Sequence, residues 1–122
     1  MTNFEVTQIY QCLDKEINHL IQSALINHKK ASKRDAEIIL STLKKYLNIW
    51  IIQLEKEKLS YTELEFLIFE EMKLIELNNL KSVGVSKGEI DLFKEFLLRL
   101  IGNVIINSTI LEKQFFLKEN YR

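Results

Sequence analysis

The chain contains no proline, and its only glycines are Gly84, Gly88 and Gly102. Helix breakers are therefore almost absent. Strict two-residue alternation never persists either, so strands have no support. There is one cysteine, Cys12, which excludes an intrachain disulfide and suits a reducing compartment. The longest purely apolar run, Ile49 to Ile52, falls far below the roughly 20 residues of a membrane span. Net charge is also missing: 17 Lys and Arg stand against 17 Asp and Glu. That balance argues against a generic polyanion binder. Nearly all the cations are Lys, the poorer choice for bidentate phosphate or base contacts. The first residues, Met1-Thr2-Asn3-Phe4-Glu5, show no basic or apolar leader region, so a cytoplasmic location is expected.

What is present is helical spacing from end to end. A chain of 122 residues suits one domain, 1–122, and at that size needs no disulfide or metal staple. Helix 1 is expected from Asn3 to His28. Thr2 and Glu5 form its capping box, and its stripe is Val6, Ile9, Tyr10, Leu13, Ile17, Leu20, Ile21 and Ala24. Lys29 and Lys30 would then sit at its negative C-terminal end. Helix 2 is expected from Lys33 to Lys56, capped by Ser32 with Asp35. Its stripe is Ala36, Ile39, Leu40, Leu43, Leu47, Trp50, Ile51 and Leu54. Helix 3 is expected from Tyr61 to Leu80, with Ser60 and Glu63 as its box and Leu64, Leu67, Ile68, Met72 and Ile75 as its stripe.

A loop through Gly84 follows. Ser86 and Glu89 cap helix 4, whose stripe is Ile90, Phe93, Leu97, Leu100, Ile101 and Val104. That phase continues through Leu111 and Phe115. The run Asn107-Ser108-Thr109 favours a break into a short C-terminal fifth helix, because short polar side chains compete with helical hydrogen bonds. The expected fold is an all-α, antiparallel bundle of four long helices, with that fifth helix as an addition.

Chemistry is sparse. Cys12, Glu16 and His19 share one edge of helix 1, at spacings that could serve a thiolate or zinc. Three such residues on one long helix align readily by chance. Glu16 and His19 also make an E-x-x-H, but Leu25 stands three residues before His28, so a di-iron site lacks its second half. The reading is therefore no catalytic residue, no metal, no cofactor and no enzyme.

Residues 77–95 resemble a helix-turn-helix corner with Gly84 at the turn. A recognition helix would present Ser86, Lys87, Asp91, Lys94 and Glu95, which makes a DNA-binding regulator the alternative reading. The acidic excess between Glu55 and Asp91 opposes it, since phosphate repels that surface, and nucleic acid is disfavoured as a partner. The opposite block, His28 to Lys45, is basic.

Helix 3 carries more apolar residues than one core face needs. Phe66, Phe69, Leu77 and Leu80 fall opposite the main stripe, flanked by Glu65 and Glu76 on one edge and by Glu63 and Glu70 on the other. On helix 2, Ile38, Ile49 and Ile52 likewise lie off the main stripe. Either the C-terminal segment, with Phe115, Phe116, Leu117 and Tyr121, covers these faces, or they bind a partner. The expected function is a small helical protein-binding module of the adaptor, chaperone or inhibitor (immunity-protein) kind. Its partner is another protein or a second copy, and its contact residues are Phe66, Phe69, Leu77, Glu63, Glu65, Glu70 and Glu76.

Overall fold

A computed structural model describes the backbone of residues 3–24 and 26–120, and side chains over 6–24 and 27–109. It contains α1 (Asn3–Ala24), a 3-10 turn (Ile26–His28), α2 (Lys29–Glu55), α3 (Tyr61–Lys73), α4 (Asn78–Ser82) and α5 (Lys87–Asn120). The described residues contain no strand. The four long helices form a ring in which α1 packs on α2, α2 on α3, α3 on α5 and α5 on α1, while α4 lies against α2.

Neighbours run in opposite directions. Tyr10, early in α1, meets Lys44 and Asn48, late in α2: its hydroxyl lies 2.8 Å from Asn48 Oδ1 and 3.1 Å from the Lys44 carbonyl. Burial raises the pKa of that hydroxyl to about 12. On the other side of the ring, Glu65 near the start of α3 lies beside Gly102, well along α5.

The apolar stripes meet in one cluster. Ile9, Leu13, Ile17 and Ile21 from α1 join Ile39, Leu43, Leu47 and Ile51 from α2, Leu64, Ile68 and Met72 from α3, and Phe93, Leu97, Ile101 and Ile105 from α5. Among the described residues, no helix is long and apolar enough to cross a membrane.

Helix ends follow local chemistry at some places. The Ser60 box forms: Glu63 N–H donates to Ser60 Oγ and Ser60 N–H donates to Glu63 Oε1, both at 3.1 Å. At the start of α5, Glu89 N–H donates to Ser86 Oγ at 3.3 Å. The end of α4 is a Schellman motif, with Val85 N–H donating to Leu80 O and Gly84 N–H to Lys81 O, both 3.1 Å. Gly84 takes φ of 86°, the left-handed conformation that motif needs. The end of α2 repeats the pattern through Lys58 N–H to Gln53 O and Glu57 N–H to Leu54 O, with Glu57 at φ 60°. The box of Thr2 and Glu5 lies outside the described residues.

The Ser60 box gives a local prediction. Ser60→Ala should cost about 1 kcal/mol at neutral pH, read from urea unfolding. Backbone and side-chain hydrogen bonds from Ser60 hold the Glu63 carboxyl below its ordinary pKa. A carboxylate lowered in this way stabilises the fold above its unfolded pKa and loses that effect as pH falls through the folded one. The difference between wild type and Ser60→Ala should therefore shrink in acid; an equal difference at pH 7 and in acid would show that the box is open.

Three helix boundaries differ from those expected. Helix 1 ends at Ala24, and α2 begins at Lys29 rather than Lys33. Ser32 and Asp35 are consequently interior to α2. The Ser32 hydroxyl donates backward to His28 O at 2.7 Å, so it satisfies itself within the helix and caps nothing. Lys29 and Lys30 accordingly stand at the positive end of α2, where the helix dipole disfavours them.

Helix 3 stops at Lys73, and residues 74–77 are non-helical. Had the helix continued, Leu77 and Leu80 would have pointed outward. The break turns both into the core, where they are 4% and 0% exposed. Burying two leucines is worth roughly 1.5–3 kcal/mol each, more than the few helical hydrogen bonds lost. Asp35 supports the new segment. Its carboxylate accepts from Asn79 N–H (3.2 Å), Asn79 Nδ2 (2.8 Å) and Leu80 N–H (2.8 Å). These amides are the second and third of α4, the ones an N-cap side chain normally serves. Leu77, at the cap position, supplies no side-chain bond, so α4 is capped across space from α2.

The break expected at 107–109 does not occur, and α5 runs unbroken to Asn120. Ser108 and Thr109 donate to Val104 O and Ile105 O, both at 2.8 Å, so neither hydroxyl competes for a backbone N–H.

Candidate functional site

The outer face of α3 carries Phe66 and Phe69, 59% and 45% exposed. One helical turn separates them, so they stand side by side. Lys73 closes one end: its Nζ lies 5.0 Å from the centre of the Phe69 ring and 3.2 Å from Glu70 Oε1. Glu63 and Glu70 form one edge of the face, and Glu65 the other. Glu63 is exposed but engaged in the Ser60 box. Glu76 is exposed in the non-helical segment after α3, outside the face. Leu77 does not belong to the face either; it is core.

Beside this face a cleft of about 580 Å³ runs between α3 and α5. Phe69, Met72 and Leu98 give it an apolar lining, and Glu65, Lys73, Asp91, Lys94, Glu95 and Arg99 give it charge of both signs. Arg99 Nη2 is held by Glu95 at 2.7 Å. The sequence reading missed the α5 side of this cleft. The available signal was Leu98, which lies off the core stripe of its helix.

The outer face of α2 exposes a second apolar stripe: Ile38, Ile49 and Ile52 are 42%, 55% and 43% exposed. The side chains of Phe115, Phe116, Leu117 and Tyr121, expected to cover these faces, lie outside the described residues. Leu92 and Phe96, one turn apart on α5, and Leu74 after α3 add exposed apolar side chains that the stripes did not flag.

The remaining candidates are placed as follows. Cys12 is a free, exposed thiol, His19 is exposed and Glu16 is half-buried. Among the described residues, no three His, Cys, Asp or Glu side chains converge as a metal set. In the helix-turn-helix-like corner, the first helix is only Asn78–Ser82. Asp91, Lys94 and Glu95 of its second helix line the cleft toward α3. Asn79, a polar residue in the first helix of that corner, makes two bonds to Asp35. No family model, curated protein or solved structure matches the chain.

Proposed function

We propose that this chain is a protein-binding module rather than an enzyme, of the adaptor, chaperone or inhibitor kind, and that its contact surface is the outer face of α3. The observation that carries this reading is the pair Phe66 and Phe69, exposed side by side and bordered by Glu63, Glu65 and Glu70. Exposed aromatic pairs rimmed by charge have the composition of interface anchors, and the acidic rim would favour basic groups on the partner. A cytoplasmic location belongs to the same proposal, since a free, exposed Cys12 thiol suits a reducing compartment.

The test is affinity capture from native cell extract, with mass-spectrometric identification, using wild type and a Phe66→Ser/Phe69→Ser variant. Wild type should retain a defined protein. The variant should bind it roughly 30-fold more weakly for each anchor removed, with an unchanged helical spectrum and midpoint. Unfolding of the variant, or capture as strong as wild type, would remove the reading.

A further inference from the structure

We infer that the protein seated on this face is a second copy of the chain, with the outer face of α2 from one copy lying on the outer face of α3 from the other. This rests on the reading of α3 as a contact surface and adds the identity of the occupant.

The two faces are complementary. On α2, the residues Arg34, Ile38, Lys45, Ile49 and Ile52 follow one another at helical spacings of four, seven, four and three, so they form one outward stripe. All five are exposed, and the two charges among them are positive. On α3, the phenylalanines are bordered by three glutamates. Lys73 offsets one of these glutamates, so the α2 stripe is apolar with two cations and the α3 face is apolar with an acidic excess.

Within one copy Lys73 holds Glu70, but the α2 cations and the α3 glutamates do not pair with each other. Among the described residues, the ion pairs Glu70–Lys73 and Glu95–Arg99 each lie inside a single helix. Arg34, Lys45 and Glu65 take part in no ion pair among the described residues.

Each copy offers both faces on adjacent helices, α2 and α3. A two-fold axis would therefore make the same contact twice and close the assembly. The formal net charge of zero means that no overall repulsion keeps two copies apart. With 13 residues, α3 is roughly 20 Å long and sets the length of each contact, which the two-fold axis makes twice.

Sedimentation velocity on the full chain tests this. Wild type should sediment at twice 14.5 kDa, and added salt should weaken the dimer by screening the rim charges. Arg34→Glu with Lys45→Glu, or Glu65→Lys with Glu70→Lys, should each raise the dimer Kd about tenfold by opposing like charges. All four changes in one chain should restore it, because both rims then reverse sign together. Far-UV circular dichroism checks that each variant keeps its helices.

A wild type that stays monomeric, or a fourfold variant as weak as its halves, overturns the assignment. A monomer that still captures a foreign protein through Phe66 and Phe69 would overturn only the identity of the occupant. A monomer that captures nothing would remove the contact face as well.

Discussion

Asp35→Ala should lower the unfolding free energy by about 3–4 kcal/mol, the largest loss expected from a single polar side chain in this protein. Asp35 is fully buried and accepts three hydrogen bonds from two residues of α4. Removing it leaves two backbone N–H groups and one side-chain amide without their acceptor, and each abandoned buried donor costs about 1–3 kcal/mol. The negative charge at the start of α4 is lost as well. Asp35→Asn should fall roughly midway, since its amide keeps one accepting oxygen but turns an N–H₂ toward donors. Urea unfolding of the three chains measures both steps. A loss below about 1 kcal/mol for the alanine variant would mean that α4 does not depend on this clamp. Few domains have more than 15 kcal/mol to lose, so Asp35→Ala should also lower the thermal midpoint by many degrees.

Phe93→Ala should cost about 3–5 kcal/mol, the range for emptying a buried aromatic site. Phe93 is 1% exposed and belongs to the same cluster as the stripes of α1, α2 and α3. Its neighbour Phe96, three residues along the same helix, is 40% exposed. Phe96→Ala should therefore cost less than about 1 kcal/mol. Thermal and urea unfolding of the two variants compares identical chemistry on one helix at two depths. Equal losses would contradict the rotational setting of α5.

The same contrast separates core from contact surface on α3. Leu64 and Ile68 are fully buried while Phe66 and Phe69 stand in solvent, so polar substitution at the phenylalanines should be nearly silent in stability. The acidic border of these two residues was legible from the order of side chains along one helix. The cleft beside them was not, because it is made by α3 and α5 together, and their pairing depends on the closure of the whole ring.

Local pattern was enough for the all-α class, most of each buried stripe, and the starts of α3 and α5. These are local: they depend on a 3.6-residue period and on a hydroxyl three residues from the N–H that it accepts from. Within the stripes, Ala24 is exposed instead, and Ile105, outside the stripe, is fully buried. Tertiary structure alone decided the roles of Ser32, Asp35, Leu77 and Leu80. Ser32 and Asp35 have the spacing of a capping box, yet the helix begins upstream of both and the carboxylate serves a backbone more than 40 residues away. Leu77 and Leu80 have the spacing of an outer stripe on a continuous α3, yet the chain gives up helical hydrogen bonds to bury them. In each case two local arrangements differ by only a few kcal/mol. Packing between α2 and α4, which the local pattern does not contain, chooses between them.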